Sequence, residues 1–285
     1  MAVLSKRPLP LRSGMPRQLD ANDDRLWQQV IRAPAIFIFL DFDGTLVEIA
    51  PMPAEVTLNE ARKGWLQELT LLPRCSVGVV SGRPVDELRR FIGLERIFYV
   101  GCHGLEWAAP DGARTMSWTH RALVDALRAL HEEMRRALVR FNGVYLEDKG
   151  ISLALHYRRA ATDTALAARK EFVRAVHWYQ QQGVKLELLA GKQVIEAKPA
   201  GTTKGDAIMQ ILARYAPAAL PIYIGDDVTD ESAFFAISEK GLAILVAASP
   251  RTTAAGRFVR NPTAVYAFLR RVIAARQRKP GHKTD

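Results

Sequence analysis

The chain has 285 residues, of which 48% are hydrophobic, and its formal net charge is +10 at pH 7. This composition is too apolar for a disordered chain, and it supplies enough core for one large domain or two smaller ones. The two cysteines, Cys75 and Cys102, are too few for a disulfide framework. We expect reduced thiols, with a single bridge as the alternative.

No targeting pattern stands out, since the basic N-terminal stretch is not followed by an apolar segment of signal-peptide length. Apolar runs such as 35–40 are too short to cross a bilayer. We therefore expect a cytoplasmic protein that does not bind membranes. The sequence leaves the oligomeric state open.

The positive charge is concentrated at the C-terminal end. From Arg251 onward there are nine basic residues and one acidic residue. Such a segment could bind the phosphates of nucleic acid, or it could be a solvated helix followed by a tail. Neither an aromatic platform nor a recognition-helix pattern accompanies it, so we favour the solvated helix and tail.

The first part of the chain predicts an arm followed by alternating strands and helices. Residues 1–34 form an N-terminal arm, mobile over 1–20, and a short helix over 23–32. The continuous apolar run 35–40 is typical of a strand buried on both faces of a parallel sheet. The elements predicted next are a helix at 59–71, a strand at 75–80, a helix at 85–92, a strand at 97–101 and a hairpin between 105 and 118, whose turn is Pro-Asp-Gly at 110–112.

The middle of the chain has a different pattern, in which each helix is followed by two strands. The predicted elements are a helix at 120–140, strands at 144–147 and 151–157, a helix at 163–182, and strands at 184–189 and 193–197. Two such units form a two-layer α+β domain. The alternation of strand and helix then resumes with a helix at 204–215, a strand at 221–225, a helix at 229–237 and a strand at 242–246.

These patterns predict an α/β protein. Its core is a doubly wound, Rossmann-like parallel sheet formed by 35–117 and 198–285, and an α+β cap at 118–197 is inserted into it. Because the insertion has two linkers at one edge, we expect a hinged lid over the strand ends. In such sheets the active site lies at the carboxyl ends of the strands.

Two aspartates follow the first apolar strand, in the run DFDGTL at 41–46. Residues two apart on an extended strand point the same way, so the carboxylates of Asp41 and Asp43 face one spot. Gly44 allows a sharp turn just beyond them. Adjacent acids are costly at the end of an apolar strand unless a cation or a reaction requires them. The alternative is a pair of solvated surface acids.

Three further groups lie at strand ends or helix starts. Ser81 and Arg83, on either side of a glycine, can hold phosphate oxygens. Lys204 opens a helix, where its ammonium and the backbone donors could neutralise a phosphoryl group; a solvated lysine is the alternative. The run GDDVTDE at 225–231 supplies clustered acids that suit Mg²⁺, although Asp227 or Thr229 could instead cap a helix. We expect His103 to serve local packing rather than to bind metal.

In this order the four groups resemble the haloacid dehalogenase-like phosphatase superfamily, from Asp41 to Glu231. The resemblance implies that Asp41 is the nucleophile and becomes an aspartyl phosphate, and that Asp43 acts as general acid and then as base. It also implies that Ser81 and Lys204 hold the phosphoryl oxygens, with Arg83 among the substrate-binding residues. It further implies a Mg²⁺ cofactor, whose ligands would be Asp41, the backbone carbonyl of Asp43, and Asp226, supported by Asp227 or Asp230.

The inserted domain contains a second set of motifs, which resembles the lid of trehalose-phosphate phosphatases. They are EDK at 147–149, Ser152, HYR at 156–158 and GKQVIE at 191–196, and the post-strand loop GCHGLE at 101–106 is similar too. The resemblance assigns sugar hydroxyls to Glu147, Lys149, Arg158, Lys192 and Glu196. On residue spacing, Glu147 and Lys149 share one strand face. A cross-strand salt-bridge ladder on a solvated sheet is the alternative.

The resemblance predicts hydrolysis of trehalose 6-phosphate, a small-molecule sugar phosphate, to trehalose and inorganic phosphate in trehalose biosynthesis. A related phosphatase of sucrose phosphate or a monosaccharide phosphate is the nearest alternative. A catalytically silent relative is a third possibility, against which the intact Asp41, Asp43, Lys204 and Asp226 argue. The fourth is nucleic-acid binding through the basic C-terminal segment.

Overall fold

A computed structural model describes residues 14–20, 23–49, 56, 58–116, 121–150, 152–201 and 203–277. The predictions for residues 1–13, for Trp118 and for the tail from 278 lie outside these ranges. The chain divides into two compact units. We call Met116–Thr202 the cap unit, and the described residues before and after it the core unit.

The core unit is built on a nine-stranded sheet. Its strands are β1 (Arg17–Gln18), β2 (Ile36–Asp41), β3 (Cys75–Val80), β4 (Phe98–Gly101), β5 (Glu106–Ala108), β6 (Arg114–Met116), β11 (Leu220–Gly225), β12 (Leu242–Val246) and β13 (Arg257–Val259). They lie in the order β1-β13-β12-β11-β2-β3-β4-β5-β6. In this order every neighbouring pair from β1 across to β4 is parallel, and β5 is antiparallel to β4.

Helices cover both faces of this sheet, which is why its central strands are continuously apolar. Along β2, Ile36, Ile38 and Leu40 pack on one side with helices α1, α2, α3 and α8. Phe37 and Phe39 pack on the other side with α6 and α7. The helices are α1 (Asp24–Arg32), α2 (Glu60–Leu71), α3 (Val85–Ile92), α6 (Lys204–Tyr215), α7 (Glu231–Ile237) and α8 (Pro262–Gln277). The predicted doubly wound α/β core is confirmed.

The cap unit is a four-stranded antiparallel sheet, in the order β7-β8-β10-β9, with two helices. Leu153, Leu155, Ile195 and Ala197 point to one face and pack with the helices in a separate apolar core. Side chains between them in sequence point to the opposite face. The elements are α4 (Arg121–Leu138), β7 (Tyr145–Asp148), β8 (Leu153–His156), α5 (Thr162–Gln181), β9 (Leu186–Gly191) and β10 (Val194–Pro199).

Three features differ from the sequence predictions. Residues 17–18, predicted to lie in a mobile arm, pair with β13 at the edge of the sheet. The short strand β13 was not predicted. Strand β10 continues to Pro199, two residues beyond the predicted end of the cap. The C-terminal helix is present as α8, and Arg276 in its last turn donates to the backbone oxygens of Val30 and Ala33 at the end of α1.

Among the described residues, no helix combines the length and the hydropathy that a membrane-spanning segment requires.

Candidate active site

The carboxyl ends of three adjacent strands gather polar side chains in the core unit. Strand β2 lies between β11 and β3 and ends at Asp41. Ser81 follows β3 directly, and Asp226 follows β11 directly. Since neighbouring parallel strands end at the same edge of a sheet, the order β11-β2-β3 brings these residues to one place, as the sequence predicted.

Lys204, the first residue of α6, joins two acids at this edge. Its Nζ lies 2.6 Å from Asp41 Oδ1 and 2.7 Å from Asp230 Oδ1. All three side chains are buried. Burial alone would lower the pKa of Lys204, but the negative charges of Asp230 and Asp41 raise it above its ordinary value, so the lysine is an ammonium ion. Burial raises the pKa of Asp41, and Lys204 opposes that effect.

Asp226 completes a group of three acids with Asp41 and Asp230, whose nearest carboxylate oxygens all lie within 4.8 Å of one another. Gly44 lets the Asp226 side chain come this close. A Cβ on Gly44 would lie 2.4 Å from Asp226 Oδ2, and the glycine has φ +89°, a left-handed conformation. The group thus combines three acidic side chains with one ammonium, and these oxygen donors fit a divalent cation such as Mg²⁺.

Asp230, rather than Asp227, is the acid that joins this group. Asp230 is fully buried, and its Oδ1 accepts hydrogen bonds from Lys204 and from the Tyr223 hydroxyl at 2.7 Å. Asp227 instead precedes the short 3-10 turn Val228–Asp230, where its N–H donates to Asp230 Oδ2 at 2.9 Å and its backbone oxygen accepts from Asp230 N at 3.2 Å. The structure places Asp227 at the N-cap position of this turn, and the capping alternative stays a prediction. Sequence reasoning missed Tyr223, whose only signal was a hydroxyl within a buried apolar strand.

Asp43 is held by Arg83. The guanidinium donates two nearly parallel hydrogen bonds to the carboxylate, from Nε to Oδ2 at 2.8 Å and from Nη2 to Oδ1 at 2.9 Å. Its Nη1 contacts Glu87, a residue that sequence reasoning missed. The Arg83 guanidinium carbon lies 5.6 Å from the Phe42 ring centre and 5.0 Å from that of Phe91. Arg83 is therefore a buried, oriented partner of Asp43.

Ser81 lies within a tightly packed turn. It is buried, its Oγ accepts a hydrogen bond from Arg83 N at 3.2 Å, and its carbonyl accepts one from His103 N at 3.0 Å. The His103 ring covers Gly82, where an added Cβ would lie 2.6 Å from Nε2. His103 thus packs against this turn, as expected, and lies outside the group of three acids.

One face of the cap sheet carries most of the residues assigned to a sugar. In the register, Glu147 of β7 and Glu196 of β10 both stand opposite Ala154 of β8, so they share a face. Lys149 Nζ lies 3.3 Å from Glu196 Oε2 and 4.0 Å from Glu147 Oε2. We call the surface formed by Glu147, Lys149, Ser152, His156 and Glu196 the polar face.

Ser152 and His156 each contact one of the two glutamates of the polar face, and neither was assigned a role from the sequence. Ser152 Oγ donates to Glu196 Oε1 at 2.5 Å. His156 Nε2 lies 2.8 Å from Glu147 Oε2. Burial would raise the pKa of Glu147, but the hydrogen bond with His156 and the charge of Lys149 lower it below its ordinary value. The polar face therefore carries an ionised Glu147 carboxylate beside the Lys149 side chain.

Arg158 and Lys192, the other two residues assigned to a sugar, lie in exposed turns. Arg158 follows β8, and Lys192 begins the turn between β9 and β10. A hydrogen bond of 3.1 Å from Tyr157 N to Gln193 O joins the two turns, so both residues lie at one end of the cap sheet. Lys149 and Ser152 lie at its opposite end.

The geometry of the core unit suits transfer of a phosphoryl group. It brings together the acids Asp41, Asp226 and Asp230, the buried ammonium of Lys204, and a further carboxylate, Asp43, that is oriented by an arginine. Phosphoryl transfer depends mainly on such positioning and charge stabilisation.

Comparisons with known proteins agree with this geometry. The sequence profile of the family described as Trehalose-phosphatase matches residues 39–263. Trehalose-phosphate phosphatases of Mycobacterium bovis and Mycobacterium tuberculosis are 34% identical over 259 residues, which is 88% of this chain. The chain spans 64% of the length of these curated relatives.

Two solved structures share the fold. The C-terminal domain of Candida albicans trehalose-6-phosphate phosphatase superposes with a TM-score of 0.78 at 18% identity, covering 92% of this chain and 99% of that one. A trehalose-6-phosphate phosphatase related protein superposes with a TM-score of 0.72 at 26% identity, covering 85% of this chain and all of the other.

Proposed function

The chain belongs to the trehalose-phosphatase family, and from this membership and the geometry of the site we propose that it hydrolyses trehalose 6-phosphate to trehalose and inorganic phosphate. The observation that carries the proposal is the buried contact of Lys204 with Asp41 and Asp230, beside a second carboxylate, Asp43, that is oriented by an arginine. This arrangement supplies a nucleophile, a proton carrier and compensating charge at one sheet edge.

The reaction we propose has two displacements at phosphorus. A carboxylate oxygen of Asp41 attacks, the bond from phosphorus to the sugar oxygen breaks, and Asp43 gives that oxygen a proton. Asp43 then takes a proton from water, whose oxygen attacks the phosphorus of the aspartyl phosphate. Phosphate leaves and Asp41 is restored. Ser81 and Lys204 hold the phosphoryl oxygens through both displacements.

We assign Mg²⁺ to Asp41, Asp226 and Asp230, with the backbone carbonyl of Asp43 as a further ligand and Asp227 in support through its cap on the turn. When bound, the cation would neutralise phosphoryl oxygens and orient them for in-line attack. The chain's own contribution is to keep three carboxylates together, which Lys204 and the Tyr223 hydroxyl make less costly.

For the sugar, we assign Glu147, Lys149 and Glu196 of the polar face, together with Arg158 and Lys192. Carboxylates and ammonium groups can each bind several hydroxyls. The hydrogen bonds from Ser152 and His156 support the proposal, because they fix the two carboxylates in place. The partner is thus a small sugar phosphate.

The first experiment measures phosphate release from trehalose 6-phosphate, sucrose 6-phosphate and glucose 6-phosphate, with Mg²⁺ and with chelator. We expect turnover of trehalose 6-phosphate only with Mg²⁺, and none in the Asp41→Asn variant, which cannot form the acyl phosphate. Faster turnover of another sugar phosphate would show that trehalose 6-phosphate is not the preferred substrate. Full activity in chelator would refute the requirement for Mg²⁺.

A second experiment tests the polar face. Glu196→Gln and Lys149→Ala are expected to lower kcat/KM for trehalose 6-phosphate by about 10- to 1000-fold, or about 1 to 4 kcal/mol. Hydrolysis of a small aryl phosphate, which lacks the sugar, should change much less. Lys170→Ala, on an exposed position of α5, is the matched control. Equal losses on both substrates would mean that the residues only stabilise the cap unit.

A further inference from the structure

A ring of hydrogen bonds joins the loop after β12 to the acidic loop after β11. Arg251 donates from Nη2 to the backbone oxygen of Asp226 at 3.1 Å and from Nη1 to Glu231 Oε1 at 3.0 Å. The other Glu231 oxygen, Oε2, accepts a hydrogen bond from Ala254 N at 2.8 Å. One arginine and one glutamate thus connect the two ends of the segment 226–231.

Glu231 is a buried acid that the proposed reaction does not use. It is the first residue of α7, is 7% exposed, and directly follows the fully buried Asp230. A buried carboxylate is tolerated only when it is paired and hydrogen-bonded. Arg251 and Ala254 N supply those partners, so the ion pair is anchored at the end of the segment that carries Asp226 and Asp230.

The bond from Arg251 to the Asp226 carbonyl bears on the metal site. The carbonyl and the side chain of Asp226 extend from the same Cα, so holding the peptide restricts the movement of the backbone that carries the carboxylate. The carboxylate itself lies against Gly44, since a Cβ added there would lie 2.4 Å from Asp226 Oδ2. Asp226 is therefore constrained both through its backbone and through its side chain.

We propose that Arg251, oriented by Glu231, is a positioning residue for the cation site. By holding the Asp226 peptide it keeps the Asp226 carboxylate within reach of those of Asp41 and Asp230. The inference rests on the proposed function only in taking Mg²⁺ as the ion. Partners that orient metal ligands in this way alter metal affinity by about 10- to 100-fold when they are removed.

The experiment measures Mg²⁺ binding by isothermal titration calorimetry on metal-free protein, so that its readout does not depend on catalysis. Arg251→Ala should raise the Kd for Mg²⁺ by about 10- to 100-fold. Arg251→Lys keeps the charge but loses the forked geometry, so a smaller rise is expected. Turnover at saturating Mg²⁺ should recover to within a few-fold of wild type.

Arg257→Ala is the matched control in the same unit. Arg257 likewise makes one ion pair, with Asp23 at 2.8 Å, and one bond to a backbone oxygen, that of Gly256 at 3.1 Å. Neither contact reaches the acidic loop. We expect this variant to lose stability comparable to that lost by Arg251→Ala, while its Kd for Mg²⁺ stays at the wild-type value.

The outcomes separate the two proposals. An unchanged Kd in folded Arg251→Ala and Arg251→Lys, an equal rise in Arg257→Ala, or a wild-type protein that binds no Mg²⁺ would each overturn the role of Arg251. If the wild type binds Mg²⁺ and the Arg251 variants bind it more weakly, but trehalose 6-phosphate is not hydrolysed, then the substrate assignment fails and the role of Arg251 stands.

Discussion

Replacing Lys204 by Met tests the electrostatics of the site most directly. The ammonium lies 2.6 Å from Asp41 and 2.7 Å from Asp230, and all three side chains are buried, with Lys204 3% exposed. Met keeps the length of the side chain and removes the charge. Breaking a buried ion pair by removing one partner costs about 3 to 5 kcal/mol. Because two carboxylates lose their partner here, we expect a loss at the upper end of this range.

The measurement is urea unfolding in chelator, so that no cation replaces the lost charge, with turnover of trehalose 6-phosphate recorded in parallel. Adding Asp41→Asn and Asp230→Asn to Lys204→Met should recover much of the stability and none of the activity, because the repulsion is then removed. The exposed Lys240→Met is the control, with an expected change within about 0.5 kcal/mol. A loss below about 1 kcal/mol in Lys204→Met would refute the reasoning.

Three further changes probe single contacts. Gly44→Ala puts a methyl group 2.4 Å from Asp226 Oδ2, at a residue whose backbone is in the left-handed conformation. Urea unfolding should show a free energy of unfolding lower by about 1 to 3 kcal/mol, and Mg²⁺ titrations should show weaker binding. An unchanged Mg²⁺ requirement would contradict this prediction. Arg83→Lys loses the paired hydrogen bonds to the Asp43 carboxylate. The value of kcat/KM should fall about tenfold for trehalose 6-phosphate and less for an aryl phosphate whose leaving group needs no proton. Equal losses on both substrates would argue against a role of Arg83 in orienting Asp43 for proton transfer. Burial raises the pKa of Cys75 to about 12, so at pH 8.5 about one thiol in three thousand is ionised. Iodoacetamide should therefore alkylate Cys75 at least about a hundredfold more slowly than free cysteine, with a rate that rises with pH. Peptide mapping gives the rate, and modification at the rate of free cysteine would contradict the prediction.

Much of the fold could be predicted because each long element carries its own pattern. Strand β2 is apolar at every position, which indicates burial on both faces, and the bounds of β3, α3, α6 and β12 agree with prediction to the residue. The short strands β1 and β13 could not be predicted, since their two and three residues contain no periodicity. They form because the edge of the sheet offers unpaired backbone groups there.

The candidate site was likewise predictable only in part. Acids at strand ends, such as Asp41 and Asp226, were predictable because topology alone brings the ends of neighbouring strands together. Their supporting partners were not. The contacts of Tyr223 with Asp230, of Glu87 with Arg83 and of Arg251 with Glu231 depend on side-chain directions, which residue spacing does not give. The prediction that Arg83 binds substrate stays a prediction, beside its observed contact with Asp43.

The alternation in the cap sheet has a consequence for how this protein could diversify. Glu196 points to the polar face, and its neighbours Ile195 and Ala197 belong to the apolar core of the cap unit. Since strands alternate with a period of two, inserting or deleting one residue within β10 would turn the acid into the core and the apolar side chains outward. Exchanging side chains on the polar face leaves this alternation intact, whereas changing the length of β10 by a single residue does not.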